Sequence, residues 1–246
     1  MISLSDLQNF PKDFKFGVAT SSYQIEGNNY GDCGKSIWDD FAKRKLSGID
    51  GKNACNHIKY FKEDIKLIKE AGFKAYRFSF AWPRLFPDND KDVNLKGVDF
   101  YKRLLDEINN SELEAFPTIY HWDLPLRFQE MKGWENQETC KRFGDLSFFI
   151  SKTYGDQFEN ISTINEPWCV SWLSHYLGEH APGIKNIQSA AKTMHNILFA
   201  HSQSVEALRS CNTHQIGIVL NNQFGQSIDS DCLLYTSPSP RDPRES

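Results

Sequence analysis

Short apolar runs alternate with longer segments of helical periodicity along most of this chain, and this alternation constrains its fold more than any other feature. The alternation predicts strands at residues 14–22, 75–80, 115–120, 161–164 and 215–220, and helices at 57–71, 97–109, 138–154 and 190–208. A further short helix is predicted near 37–42, within a long polar loop. Strict alternation of this kind is typical of the α/β class, with a parallel sheet covered by helices.

Two α/β architectures compete at this point, an open doubly wound sheet and a closed barrel. An open sheet usually carries a glycine-rich phosphate loop after its first strand. Here the first strand is followed by SSYQIEG at residues 21–27, which is no such loop. Polar and aromatic clusters instead follow one strand after another, where a barrel enzyme builds its site. We therefore predict a (β/α)8 TIM barrel over residues 1–231, incomplete because only about the first five β/α units are present.

The end of the chain does not continue this alternation. Residues 232–246 read CLLYTSPSPRDPRES, and a bias toward Ser, Pro and Arg does not build a packed core. We interpret this tail as the non-native end of a truncated or misread coding sequence, with a genuine disordered tail as the alternative.

Composition and charge argue against several classes of protein. The net charge is −4 and no basic stripe is present, which argues against nucleic acid as a partner. No apolar run approaches the roughly 20 residues that span a bilayer. The first ten residues lack the pattern of a secretory signal, which favours a cytoplasmic location. The six cysteines lack metal-ligand spacing, so we expect free, buried or half-buried thiols and no metal.

Glu166 is the leading candidate for chemistry, at the end of the predicted fourth strand. Glycoside cleavage needs one carboxylic acid that protonates the leaving oxygen and a second carboxylate opposite it. Asn165, beside Glu166, has an amide that suits a sugar hydroxyl. The alternative is a glutamate that only caps a loop, because a short Asn-Glu-Pro motif carries a risk of false matches.

The ends of two other predicted strands carry groups that suit a sugar. His121 and Trp122 follow the third strand, where an imidazole can donate to a hydroxyl and an indole can stack on sugar C–H groups. Gln24 lies just past the first strand and offers both a donor and an acceptor. A histidine and a tryptophan of the core, and an ordinary loop glutamine, are the alternatives.

Arg77 lies inside the second predicted strand, where a barrel would point its side chain inward. Such an arginine needs a partner, and a buried catalytic carboxylate is a natural one because arginine keeps it ionised. The alternative is a structural ion pair with Asp64 or Glu63.

Five segments together resemble glycoside hydrolase family 1, the group of β-glucosidase, β-galactosidase and myrosinase-like enzymes. They are FGVATSSYQIEG at 16–27, SIWD at 36–39, YRFSFAWPR at 76–84, HWDLP at 121–125 and TINEPW at 163–168. Each segment alone is weak to moderate in specificity. All five occur in order and with the family's spacing, from about residue 10 to about residue 225. Together they favour a sugar site over the structural alternatives above.

The resemblance implies a retaining β-glycosidase, similar to β-glucosidases, that hydrolyses β-D-glycosides by double displacement. Glu166 would be the general acid/base and Asn165 would bind the sugar 2-hydroxyl. Arg77 would orient the nucleophile. The implied partner is a small-molecule β-glycoside or oligosaccharide, with no metal or other cofactor.

The resemblance also implies a set of substrate-binding residues around Glu166. Gln24 and His121 would bind hydroxyls of the non-reducing glycone. Trp122 would line the glycone site, and Trp168 would line the aglycone entrance. The oligomeric state does not follow from these motifs.

This sequence departs from the family at the nucleophile. The family's nucleophilic glutamate lies in a Thr/Ser-Glu-Asn-Gly motif of the seventh strand, and no such motif occurs here. A family barrel needs roughly twice this length. We therefore expect a fragment with half a site, unable to form the covalent intermediate. The alternatives are an inactive glycosidase-like protein that binds glycosides or a partner, and another retaining barrel hydrolase such as a cellulase-like one. The YQIEG and HWDLP motifs argue against the latter.

Overall fold

Five parallel strands form one sheet in the computed structural model, which describes residues 10–11, 13–89, 91–211 and 215–222. Their order in the sheet follows their order in the chain, without the reversal that marks a doubly wound sheet. The strands are β1 (Gly17–Ala19), β2 (Ala75–Ser79), β3 (Glu114–Tyr120), β4 (Asn160–Asn165) and β5 (Gln215–Val219). The predicted partial barrel wall is confirmed, and the predicted tail at 232–246 lies outside the described residues.

Helices connect each strand to the next. They are α1 (Ser22–Ile25), α2 (Ile37–Lys45), α3 (His57–Glu70), α4 (Trp82–Leu85), α5 (Leu95–Asn110), α6 (Leu126–Glu130), α7 (Gln137–Tyr154), a π-helix (Cys169–Leu177) and α8 (Ile187–Arg209). Single 3-10 turns lie at Gly133–Glu135 and Gly155–Gln157. None of the helices in the described ranges is both long and apolar enough to cross a membrane.

The long helices begin at residues that cap them. Ser36 and Asp39 form a reciprocal capping box at the start of α2. Asn94, Asn136 and Asn186 accept hydrogen bonds from the first turns of α5, α7 and α8. These caps satisfy backbone N–H groups that have no partner inside the helix. The bounds predicted from the apolar period lie within a few residues of the observed ones, whereas α1, α4, α6 and the π-helix are too short or irregular to show a period.

The two faces of the sheet have different surroundings. On β2, Tyr76 and Phe78 are buried toward the helices, where Tyr76 contacts the ring of His57. Arg77, between them, points to the opposite face and is only half-buried. Side chains alternate across a strand, so one face builds the apolar core while the other is left for polar groups. The inner face of a barrel wall is thus the polar one near the strand ends.

The cysteines only partly follow the expectation of buried or half-buried thiols. Within the described residues Cys140 and Cys169 are buried, and Cys33 and Cys211 are half-buried, all without a disulfide. Cys55 is free but exposed, so the expectation was wrong there. It lies in the turn that precedes α3. Cys232 is outside the described residues.

Candidate active site

The carboxyl ends of the five strands bring the predicted site residues to one edge of the sheet. Because every strand pair is parallel, the segments that follow β1, β3 and β4 all leave the sheet at the same edge. Those segments carry Gln24, His121 and Glu166. The predicted sugar-binding and acid groups therefore share one rim, as the barrel hypothesis requires.

Arg77 is joined to the amide next to Glu166. Its Nη2 donates to Oδ1 of Asn165 at 2.7 Å, and its Nε donates to Oγ1 of Thr118 at 3.0 Å. Asn165 is buried at 2% exposure, so this bond fixes its amide orientation. Asp64, one of the alternative partners, lies instead with its Oδ2 2.6 Å from Nδ1 of His57.

An irregularity in strand pairing accompanies this contact. Ser162 pairs with Gly217 and Asn165 pairs with Val219, so β4 advances by three residues while β5 advances by two. An extra residue of this kind bends a strand and re-aims its side chains. The register shift thus lies directly before Asn165 and Glu166, and it sets the directions in which the candidate sugar-binding amide and the candidate acid point.

Glu166 has a strained backbone that is held from both sides. Its φ is +49°, in the left-handed region that non-glycine residues seldom adopt. Its N–H donates to the carbonyl of Val219 at 2.8 Å, and its carbonyl accepts from Cys169 and Val170. Such strain persists only where the surroundings impose it, and it concentrates at functional sites.

A thiol contacts the carboxylate of Glu166. Sγ of Cys169 donates to Oε2 at 3.1 Å. Burial raises the pKa of Cys169 to about 11, so the thiol keeps its proton at neutral pH and acts as a donor. Nδ2 of Asn221 donates in turn to Sγ at 3.5 Å. Sequence reasoning missed Cys169, because a buried cysteine three residues after a glutamate has no recognisable pattern.

Trp122 is hydrogen-bonded to the residue that precedes Glu166. Its indole N–H donates to the carbonyl of Asn165 at 2.9 Å, and its own carbonyl accepts from the indole of Trp38 at 3.0 Å. Its φ is +78°, an unusual value for an aromatic residue. The ring of His180 lies 5.0 Å from that of Trp122 and 5.6 Å from that of Trp38. His180 was not anticipated from the sequence.

His121 presents a neutral imidazole. Burial, followed by the positive charge of Arg77, lowers the pKa of His121 to about 3. Its Nδ1 is buried and has no hydrogen-bond partner among the described residues. A neutral ring of this kind can donate from one nitrogen and accept at the other, which suits a sugar hydroxyl.

Gln24 and Trp168 lie more openly at the rim. Gln24 is exposed and sits in the short helix α1 rather than in the expected loop. Trp168 is 38% exposed and directly precedes the π-helix. Both side chains are accessible to a molecule in solution.

Asp123 is a buried carboxyl group that links three strand ends. Oγ of Ser22 donates to its Oδ2 at 2.6 Å, and Oγ of Ser79 donates to Oγ of Ser22 at 3.0 Å. Ser22 is the first residue of the helix that carries Gln24. Asp123 therefore holds that helix against the loop containing His121. Its other oxygen, Oδ1, is buried without a partner among the described residues.

Replacement of Asp123 by asparagine should flatten the pH dependence of stability. Burial raises the pKa of Asp123 to about 7, against an ordinary value of 3.8, despite the opposing Ser22 hydrogen bond. The folded state then keeps a proton that the unfolded chain loses from about pH 4 upward, so stability falls as pH rises toward 7. The slope contributed is at most about 1.4 kcal/mol per pH unit.

Urea unfolding of both proteins between pH 4 and 8 measures this effect as a difference between their free energies of unfolding. Asp145→Asn, at a carboxylate whose side chain is 71% exposed, is the matched control and should follow the original chain. If the free energy of unfolding of Asp123→Asn fell with pH as steeply as that of the original chain, the raised pKa of Asp123 would be contradicted.

Glu26 belongs to a buried ion pair. Nε of Arg84 donates to its Oε2 at 2.8 Å, and the Tyr101 hydroxyl donates to its Oε1 at 2.8 Å. The side chains of Arg84 and Glu26 are 1% and 4% exposed. Burial alone would lower the pKa of Arg84, but the Glu26 carboxylate reverses this and holds it above its usual value. This pair anchors the loop after β1 beneath the rim.

The side chains that could ligate a metal ion are scattered in the part of the chain that the structure describes. No three side chains of His, Cys, Asp or Glu are grouped there in a way that would hold a metal ion.

Comparison with known proteins settles the family. Residues 6–232 match the model of glycosyl hydrolase family 1. This chain belongs to that family. The predicted family membership is confirmed, and the family's barrel accounts for the parallel order of the five strands.

Individual relatives agree with this result. The 1,4-beta-D-glucan glucohydrolase of Thermotoga neapolitana is 43% identical over 223 residues, which are 89% of this chain and 52% of that protein. Beta-glucosidase 42 of Arabidopsis thaliana is 38% identical over 242 residues, 95% of this chain and 49% of that protein. The beta-glucosidase from Thermotoga maritima in complex with deoxynojirimycin superposes with a TM-score of 0.86 and 42% identity, over 90% of this chain and 51% of that one. The chain spans about half the length of the curated relatives it matches.

Proposed function

We propose that the protein is a retaining β-glycosidase, similar to β-glucosidases, that hydrolyses small β-D-glycosides or oligosaccharides by double displacement. The observation that carries this proposal is the chain of hydrogen bonds from Arg77 through Asn165 to Trp122, next to the strained Glu166. The names of the relatives, a glucan glucohydrolase and two β-glucosidases, support the substrate class.

Glu166 acts as the acid/base in this mechanism. In the first step it protonates the glycosidic oxygen as the bond to the anomeric carbon breaks, and in the second it takes a proton from the attacking water. The Cys169 thiol occupies Oε2, which leaves Oε1 as the oxygen that faces the leaving group. Asn165, oriented by Arg77, donates to the 2-hydroxyl, where contacts strengthen in the transition state.

The glycone is held by the groups on the neighbouring strand ends. The neutral imidazole of His121 and the amide of Gln24 exchange hydrogen bonds with its hydroxyls, and the indole of Trp122 covers its apolar face. Trp168 stands on the aglycone side, two residues beyond Glu166. Asp123 supports this arrangement from below by joining the Gln24 helix to the His121 loop.

The nucleophile is the part of the mechanism that these residues do not supply. The printed sequence contains no Thr/Ser-Glu-Asn-Gly motif. We propose that the nucleophilic carboxylate belongs to the half of the barrel that this sequence lacks, and that Arg77 faces it there. The second candidate function is a catalytically inactive glycosidase-like protein that binds glycosides or a partner.

Hydrolysis of 4-nitrophenyl β-D-glucoside tests these two functions. The chain alone should release no nitrophenol above the uncatalysed rate. Release by the pure chain would overturn the proposal that these residues do not supply the nucleophile. A completed barrel, made by joining residues 1–222 to the part of the Thermotoga neapolitana enzyme that follows the aligned segment, should hydrolyse the glucoside. A folded but inactive completed barrel, judged by circular dichroism and a cooperative melt, would favour the inactive binding protein.

A further inference from the structure

Helix α2 is attached to the two loops on either side of the candidate acid. The N–H of Ile37 donates to the carbonyl of Leu124, in the loop after β3, at 2.9 Å. Near the other end of the helix, Nη2 of Arg44 donates to the carbonyl of Pro182, in the loop after β4, at 2.9 Å. One helix from the loop after β1 therefore fixes the loops after β3 and β4 relative to each other.

Trp38, in the first turn of α2, has its indole ring against both of these loops. The ring lies 5.6 Å from that of Phe41 on the same helix and 5.6 Å from that of His180 in the loop after β4. Its Nε1 donates to the carbonyl of Trp122, in the loop after β3, at 3.0 Å. The ring contacts hold the indole in place, so its one N–H has a fixed direction toward the backbone of Trp122.

The backbone of Trp122 has a conformation that its neighbours must maintain. Its φ of +78° lies in the left-handed region, which is unfavourable for a residue with a side chain. Such a conformation persists only where the surroundings impose it. The hydrogen bond from Trp38 is made to the carbonyl of the strained residue itself, so it restrains the peptide unit that follows the unfavourable φ.

The position of Trp122 in turn affects the residue beside Glu166. Nε1 of Trp122 donates to the carbonyl of Asn165 at 2.9 Å, and the amide of Asn165 is held by Arg77. The hydrogen bonds thus run from Trp38 through Trp122 to Asn165. All of these groups lie in the described part of the chain, so the argument needs no surface that another segment would cover.

We propose that Trp38 is a positioning residue, which holds Trp122 in its left-handed conformation and thereby places the sugar-stacking indole and the carbonyl of Asn165. Its consequence for catalysis rests on the proposed function, whereas its effect on Trp122 is a property of this chain alone. Removing the N–H of Trp38 while an aromatic ring is retained separates this role from packing.

Nuclear magnetic resonance of the full chain tests the proposal directly. The sequence contains six tryptophans, so the indole N–H signals of the isotope-labelled protein are few enough to assign by substitution. Trp38→Phe should accelerate exchange of the Trp122 indole proton with water by about fivefold, the effect of one lost hydrogen bond. If phenylalanine disturbs the fold, Trp38→benzothienylalanine removes the N–H and keeps the size of the indole.

Trp134→Phe is the matched control. The indole N–H of Trp134 also donates at 3.0 Å, to the hydroxyl of Tyr120, but its ring packs on Phe143 of α7. The same chemical change there should lower the free energy of unfolding and leave exchange of the Trp122 proton unchanged. Unchanged exchange in the Trp38 variants, or equal acceleration in Trp134→Phe, would overturn the proposal.

Steady-state kinetics of the completed barrel measure the consequence for the reaction. Trp38→Phe should lower kcat/KM for 4-nitrophenyl β-D-glucoside by about tenfold, with a higher KM and a lower kcat, because the sugar-stacking ring and the neighbour of Glu166 are both displaced. Trp134→Phe should change kcat/KM by less than about twofold. Unaltered kcat/KM in Trp38→Phe would refute the positioning role. Inactivity of the unmodified completed barrel would instead count against the proposed function, and the exchange measurement would then decide the role of Trp38.

Discussion

Glu166→Gln in the completed barrel is expected to lower kcat/KM for glucosides with poor leaving groups by about 10²–10⁴-fold, the usual contribution of a positioned general acid. Glutamine preserves the size of the side chain but cannot deliver a proton to the leaving oxygen. A glucoside with a strongly activated leaving group, such as 2,4-dinitrophenol, needs little protonation. Its first step should therefore be much less affected, and steady-state rates with a series of aryl glucosides measure the difference.

The second step offers an independent check on the same residue. Water needs a base to attack the glycosyl-enzyme, whereas azide does not, so added azide should restore turnover of Glu166→Gln and yield a β-glycosyl azide. Glu179→Gln is the matched control, since Glu179 is an exposed glutamate just beyond the π-helix that follows Glu166. Equal losses across all leaving groups, with no response to azide, would rule out the acid/base role.

Glu26→Gln is expected to destabilise the fold by about 3–5 kcal/mol, because it leaves the buried guanidinium of Arg84 without its counter-charge. The Arg84 hydrogen bonds to the carbonyls of Tyr30 and Gly27 persist but carry no compensating charge. Chemical unfolding in urea, followed by circular dichroism, measures the loss of free energy of unfolding.

A surface pair provides the comparison for this second prediction. Glu112→Gln breaks the contact of Glu112 with Lys69, in which the glutamate side chain is 87% exposed, and should cost less than about 1 kcal/mol. The double variant Glu26→Gln with Arg84→Met should recover much of the lost stability, because the uncompensated charge is gone. Similar losses for Glu26→Gln and Glu112→Gln would show that the buried pair does not anchor the rim.

The fate of individual predictions shows which interactions a sequence displays. The helix at 138–154 was anticipated almost to its ends, because its apolar period is a local signal. The partner of Arg77 was not identified from the sequence, which offered a catalytic carboxylate or an ion pair with Asp64 or Glu63, whereas the structure shows the amide of Asn165. The observed contact joins residues 88 positions apart. No local pattern reports a contact of that separation.

The amino-acid sequence by itself determined the alternation of strands and helices, the family and the positions of the candidate acid and sugar-binding residues. These follow from periodicity and from motifs a few residues long, in which neighbouring side chains carry the information. Only the tertiary structure decided that Cys169 donates to Glu166, that Asp123 is a buried carboxyl group and that the indole of Trp38 donates to the backbone of Trp122. Burial and hydrogen bonding depend on which segments the parallel sheet and the irregular π-helix bring together, and that is a property of the packed chain.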